Sequence, residues 1–130
     1  MRKLLLAGAT AFALTFGGCA ELQKFQVAFE TVTGNVVTPQ AVVVAINSFD
    51  AIEATATSYL LLPRCGTGPI LCREAAITAK VVPLIRAGRA DRNQLKAGLR
   101  ANPGQNISLV QVYEDLGNTT AALTASLATK

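Results

Sequence analysis

Apolar side chains recur at helical spacing through the middle of this chain. After the pair Thr38-Pro39 they follow one another every three or four positions: Val42, Ala45, Ile46, Phe49, Ile52, Ala56, Tyr59 and Leu60. A threonine hydroxyl can cap the first free N–H groups of a helix, and proline is well tolerated at its first position. Pro63 marks the end, because proline cannot continue a helix. We predict one long helix over residues 38–62.

The same spacing returns near the C-terminus and predicts a second helix there. Its apolar positions are Leu109, Val112, Tyr113, Leu116, Thr120, Leu123 and Leu127. Ser108 and Gln111 have the spacing of a capping box at its start. Gly117 costs this helix about 1 kcal/mol relative to alanine.

The stretch between these two helices allows two interpretations. Ile77, Val81 and Leu84 share one face of a predicted helix, and Pro83 lies inside this helix. We expect this helix to end at Gly88, a typical terminating residue, and a shorter one to begin at a capping box over residues 91–94. Without a break, Leu95 and Leu99 would continue the same face, so the periodicity also permits one long helix.

Two cysteines bracket a turn that is rich in glycine and proline. Cys65 and Cys72 lie seven positions apart, with Gly66, Gly68 and Pro69 between them. A metal site would need more ligands, since the chain has no histidine and no second cysteine pair. A redox pair is more often separated by two residues. We therefore predict a structural disulfide, and an all-α fold: a small antiparallel bundle of three to four helices with one disulfide-closed turn.

The N-terminus has the order of a secretory signal. Arg2 and Lys3 precede an apolar run over residues 4–16, and the small pair Gly17-Gly18 follows. A basic start, a short apolar middle and small residues before a cleavage site are typical of export. The run of about 13 residues is shorter than the roughly 20 that a membrane-spanning helix needs.

The cysteine that follows this run adds a more specific interpretation. Residues 14–20, ending in Gly17-Gly18-Cys19-Ala20, resemble the lipobox of bacterial lipoproteins, although Phe16 stands where that family most often has leucine. The resemblance implies that Cys19 is lipidated, with acyl chains such as palmitate, as the first residue of the mature chain. It also implies the periplasmic face of the outer membrane, because Ala20 and not an acidic residue directly follows Cys19. The alternative is ordinary cleavage after Ala20, which would yield a soluble periplasmic or secreted protein.

These boundaries divide the chain into a signal peptide (1–18), a lipid-anchored N-terminal segment (19–38) and a helical bundle domain (39–130). Within the anchored segment, residues 21–33 place four apolar side chains at helical spacing: Leu22, Phe25, Phe29 and Val32. Gly34-Asn35 ends this short predicted helix. Its two phenylalanines could rest on the membrane surface or pack on the domain.

Charge is small overall but unevenly distributed. The whole chain carries +4, and removal of Arg2 and Lys3 leaves ten basic against eight acidic residues, too small a balance to indicate nucleic acid. Five basic residues would cluster beside the apolar face of the middle helical stretch: Arg86, Arg89, Arg92, Lys96 and Arg100. They predict a face for anionic lipid, lipopolysaccharide phosphate or an acidic protein. The alternative is a solvated face whose inner members pair with Asp50, Glu53, Glu114 or Asp115.

Candidate catalytic groups are few. A chain without histidine cannot build a Ser-His-Asp or Cys-His arrangement. Asp50 with Glu53, or Glu114 with Asp115, could be proposed as a glycosidase-type carboxylate pair, but such pairs at helix edges are usually solvated or ion-paired. No metal or cofactor is predicted.

We therefore expect a non-catalytic cell-envelope lipoprotein that acts as a structural or interaction module at the membrane surface. The sequence leaves two alternatives open. One is a phage-derived or lysis-related accessory in the manner of spanin lipoproteins, for which we would expect a short proline-rich mature chain. The other is a small periplasmic enzyme or carrier.

Overall fold

The computed structural model describes residues 35–66, 68 and 71–128, and within these ranges the protein is all-α. Three helices follow in order: α1 (Pro39–Leu60), α2 (Ala75–Ala101) and α3 (Val110–Ala128). Each helix contacts the other two. The predicted signal peptide, the lipidation site Cys19 and the segment over residues 21–33 lie outside the described residues. None of the helices described is long and apolar enough to cross a membrane.

α1 begins at the predicted residues. The Thr38 hydroxyl accepts a hydrogen bond from the Ala41 N–H at 3.3 Å, and Pro39 occupies the first helical position. The helix ends at Leu60, just before Pro63. Its predicted apolar face is turned inward, and Val42 and Phe49 are fully buried.

The expected break in the middle stretch is wrong, because α2 runs as one helix through Gly88 and through residues 91–94. Gly88 is buried against the ring of Phe49 on α1, where an added Cβ would lie 2.1 Å from Cε2. The glycine therefore allows two helices to approach closely rather than ending one of them. Leu95 is fully buried beyond it, so burial of the continuous apolar face holds the helix together.

The same burial carries α2 through a proline. Pro83 lies inside the helix, where it removes one backbone hydrogen bond. Pro83 itself is exposed, whereas Val81 and Ile85, two residues before and after it, are buried in the core. Packing of these neighbours offsets the local cost of the proline.

The core has two parts along the bundle. The first part surrounds the N-terminal half of α1 and includes Phe49, Leu95, Tyr113 and Leu116. The second surrounds the C-terminal end of α1 and the start of α2: Ala56, Tyr59, Ile77, Val81, Ile85 and Leu123. Aliphatic side chains supply most of both parts, as a chain without tryptophan requires.

A short backbone pairing fixes the chain that enters α1. The Val37 N–H donates to the Ile107 carbonyl at 2.8 Å, and the Ile107 N–H donates back to the Val37 carbonyl at 3.0 Å. Both residues are buried. The segment before α1 is therefore held against the segment before α3.

The disulfide between Cys65 and Cys72 is confirmed, with a Cα–Cα distance of 4.9 Å. Backbone bonds support it: the Arg73 N–H donates to the Pro63 carbonyl at 2.8 Å, and the Cys65 N–H donates to the Arg73 carbonyl at 3.2 Å. The Arg73 Nη1 also donates to the Leu60 carbonyl at 2.8 Å. The turn thus fastens the end of α1 to the start of α2.

Replacing both cysteines by serine is expected to lower the free energy of unfolding by about 2.5 kcal/mol. Closing an eight-residue loop lowers the conformational entropy of the unfolded chain, and this raises its free energy by about that amount. The helix content should not change, because the turn lies outside both parts of the core. Urea unfolding of the oxidised wild type, the reduced wild type and the double variant measures the effect. The reduced wild type should match the variant. Equal stability of all three proteins, or free thiols at residues 65 and 72 in the unreduced wild type, would contradict the prediction.

Candidate functional site

Five charged side chains meet where α1 crosses the middle of α2. Asp50 and Glu53 are three residues apart on α1, and Arg89, Arg92 and Lys96 follow at helical spacing on α2, so each set occupies one face of its helix. We call these five residues the ion-pair network. The apolar contact of Gly88 with Phe49 lies directly beside it and brings the two helices close enough for the charges to meet.

Every carboxylate oxygen of the network is engaged by a basic side chain. Glu53 accepts from the Arg89 Nε at Oε1 and from the Arg92 Nη1 at Oε2, the latter at 2.9 Å. Asp50 accepts from the Arg92 Nη1 at Oδ1 at 2.7 Å, and its Oδ2 lies 3.5 Å from the Lys96 Nζ. Arg92 therefore joins both carboxylates.

The centre of the network is shielded from water and its edge is not. The side chains of Glu53 and Arg92 are 12% and 20% exposed, whereas Asp50, Lys96 and Arg89 are 40%, 38% and 51% exposed. The Arg92 guanidinium also lies over the Phe49 ring, with Cζ 5.7 Å from its centroid, which is within the range of a cation–π contact. The Arg92 Nε is buried without a hydrogen-bond partner in the described structure. The Glu53–Arg92 pair is thus part of the interface between the helices.

This arrangement divides the five residues of the predicted basic face. Arg89, Arg92 and Lys96 lie in ion pairs with Asp50 and Glu53, which is the alternative that the sequence left open. Arg86 and Arg100 are exposed on α2. Binding of an anionic partner stays a prediction. Arg86 and Arg100, with the half-exposed Arg89 and the partly exposed Lys96, are the basic residues of this face that solvent reaches.

The structure places the two candidate carboxylate pairs differently. Asp50 and Glu53 are occupied by the basic side chains described above. Glu114 and Asp115 are exposed on α3, where Asp115 accepts a hydrogen bond from the Gln111 Nε2 at 3.0 Å. Gln111 is therefore turned along its own helix rather than back toward Ser108.

Two groups at the α2–α3 contact have perturbed acidity. Burial raises the pKa of the Asp91 carboxyl, and the negative charge of Asp115 raises it further. Burial likewise raises the pKa of the Tyr113 hydroxyl. A carboxyl whose pKa is raised by folding binds its proton more tightly in the folded state than in the unfolded state. Ionised Asp91 therefore lowers the free energy of unfolding at pH values above its folded-state pKa, and the protein regains this stability as the pH falls through that pKa.

A surface cavity of about 740 Å³ lies beside the disulfide and is lined by Arg64, Cys65, Arg73, Glu74, Ala75 and Ala79, among others. Its polar groups are partly committed to the fold, because Arg73 donates to the Leu60 carbonyl and the Glu74 N–H donates to the Tyr59 hydroxyl at 2.6 Å. Among the residues described, no group of three or more histidine, cysteine or acidic side chains is placed to hold a metal ion.

No protein-family model, curated protein or solved structure matches this chain.

Proposed function

We propose that the protein is a cell-envelope lipoprotein whose helical domain acts as a structural or interaction module at the membrane surface. The observation that carries the proposal is the sequence Gly17-Gly18-Cys19 after a basic start and a short apolar run. The Cys65–Cys72 disulfide supports export, because such bonds persist in oxidising compartments such as the bacterial periplasm. With Ala20 after Cys19, the outer membrane is the proposed destination.

The domain is proposed to be an antiparallel bundle. Glu53 pairs with Arg89, whereas Asp50, which comes earlier in α1, pairs with Lys96, which comes later in α2. An earlier residue of α1 thus pairs with a later residue of α2, and this order supports helices that run in opposite directions.

The proposed role of this domain is non-catalytic. Both carboxylates of the ion-pair network are held by basic side chains, an arrangement that supports a role in fastening α1 to α2. Lipid on Cys19 would supply the membrane contact. The exposed Arg86 and Arg100 are proposed to meet anionic lipid or an acidic protein, since a basic surface concentrates such partners.

Replacing Cys19 by alanine is expected to move the protein from the membrane fraction to the soluble periplasmic fraction, because the proposed acyl chains attach to this residue. The domain should keep its helix content, since residue 19 lies well before α1. Fractionation of cells that express the wild type, Cys19→Ala and the neighbouring control Gln23→Ala measures the change. Intact mass of the mature wild type is the decisive measurement: the proposal requires a chain that starts at Cys19 with acyl mass. A chain that starts at Glu21, or at an unmodified Cys19, would rule the proposal out.

A further inference from the structure

The most exposed residues of α1 are all uncharged, and the partly exposed Asp50 is held in the ion-pair network. The exposed residues in the first half of the helix are Gln40, Val43, Val44, Asn47 and Ala51, and we call them the α1 outer face. Val43 and Val44 are 46% and 42% exposed, and they are among the few large apolar side chains of the described residues that solvent reaches. Farther along α1 the exposed positions are again alanine, threonine and serine.

The other helices differ from α1 in this respect. The exposed side of α2 carries Lys80, Arg86 and Arg100, and the exposed side of α3 carries Glu114 and Asp115. Depletion of charged residues is typical of the centre of a surface that packs against a partner. Small residues also let a neighbouring helix approach closely, as Gly88 does for Phe49.

We propose that residues 21–33 of the same chain pack as a helix along the α1 outer face. The sequence of this segment provides the complementary surface, because Leu22, Phe25, Phe29 and Val32 recur at helical spacing. The phenylalanine rings would pack against Val43, Val44 and Ala51, on a face whose other members are the uncharged amides Gln40 and Asn47. The charged residues Lys24 and Glu30 would lie away from this apolar face, and Glu21 would lie at its edge in the first turn.

The position where the chain enters the described structure favours this occupant over others. Val37 is fixed beside Ile107 immediately before α1, so three residues separate the segment from Val37 and six separate it from Gln40, the first residue of the outer face. Connections this short join neighbouring helices that run side by side in opposite directions. A helix of 13 residues is about 20 Å long, which reaches from the start of α1 to about residue 52. That span matches the α1 outer face.

Packing of this kind would set the distance of the domain from the membrane. A segment docked on α1 brings residue 21 back along the bundle, and Cys19 lies only two residues before it. The inference concerns the segment and not its lipid, so it can be tested on mature chain 19–130 carrying Cys19→Ser, and its failure would leave the lipoprotein proposal standing.

The chain has no tryptophan, so Phe25→Trp introduces a unique fluorescent reporter in the segment. We expect blue-shifted emission and acrylamide quenching several-fold weaker than for the same chain in urea, at all protein concentrations and without lipid. Val44→Lys and Asn47→Lys on the outer face should raise the quenching toward the value in urea. Thr57→Lys, exposed on α1 but beyond the reach of the segment, is the matched control and should have no effect.

Circular dichroism and thermal melting verify that the lysine variants stay folded; Asn47→Lys changes an exposed polar residue and provides a test that does not depend on Val44. Quenching in buffer equal to that in urea would overturn the proposal. So would shielding that is unchanged by both outer-face variants. Shielding that grows with protein concentration would assign the face to a second copy, and shielding that requires anionic vesicles would assign the segment to the membrane; either result also overturns it.

Discussion

Replacing Glu53 by leucine is expected to lower the free energy of unfolding by about 3 kcal/mol. Glu53 is buried and accepts hydrogen bonds from Arg89 and Arg92. Removal of one partner from a buried ion pair costs about 3–5 kcal/mol, because it leaves the other charge buried and unpaired. The lower end of this range applies here because Arg89 is half-exposed and Arg92 keeps its ion pair with Asp50. Urea unfolding followed by far-UV circular dichroism measures the change.

Two further variants test whether the unpaired charge is the cause. Glu53→Leu combined with Arg92→Met removes both buried charges, and it should recover much of the lost stability. Lys96→Met breaks only the exposed contact with Asp50 and should change stability by no more than about 1 kcal/mol. A double variant less stable than Glu53→Leu alone, or a Lys96 variant as damaging as the Glu53 variant, would contradict this account of the network.

Replacing Gly88 by valine is expected to lower the free energy of unfolding by about 3 kcal/mol, the upper end of the range for overpacking a core. An added Cβ would lie 2.1, 2.5 and 2.9 Å from three carbons of the Phe49 ring, and Phe49 is fully buried in the core. The higher helix propensity of valine relative to glycine offsets only a few tenths of a kcal/mol. Thermal and urea unfolding would measure the loss.

Ala87→Val is the matched control, because residue 87 adjoins Gly88 on α2 but is exposed. It should cost well under 1 kcal/mol. Phe49→Leu removes the ring atoms that would clash, so its combination with Gly88→Val should cost less than the sum of the two single changes. Strict additivity, or a stable Gly88→Val protein, would show that the helices do not depend on this close approach.

The chain pattern by itself determined much of the architecture. Thr38-Pro39 and Pro63 bound α1 because capping and the missing proline N–H act over only a few residues. The apolar positions of the first and last helices, and the pairing of Cys65 with Cys72, were likewise readable from spacing and composition. The lipobox-like stretch is also a local signal, and the proposed destination of the protein rests on it.

The tertiary structure decided what the same residue types do when two helices meet. Glycine is typical of a helix end, yet Gly88 lies inside α2 and contacts the buried Phe49 ring. Burial of the continuous apolar face of α2 outweighs the low helix propensity of glycine, which costs about 1 kcal/mol. The residues over 91–94 resemble a helix start for the same local reasons and lie inside α2. Likewise, the sequence leaves open whether Arg89, Arg92 and Lys96 bind an anionic partner or pair with acidic side chains of the same domain. Only the crossing of α1 over α2 places Asp50 and Glu53 within hydrogen-bond distance of them, about 40 positions away along the chain, so desolvation and charge pairing between distant segments determine their role.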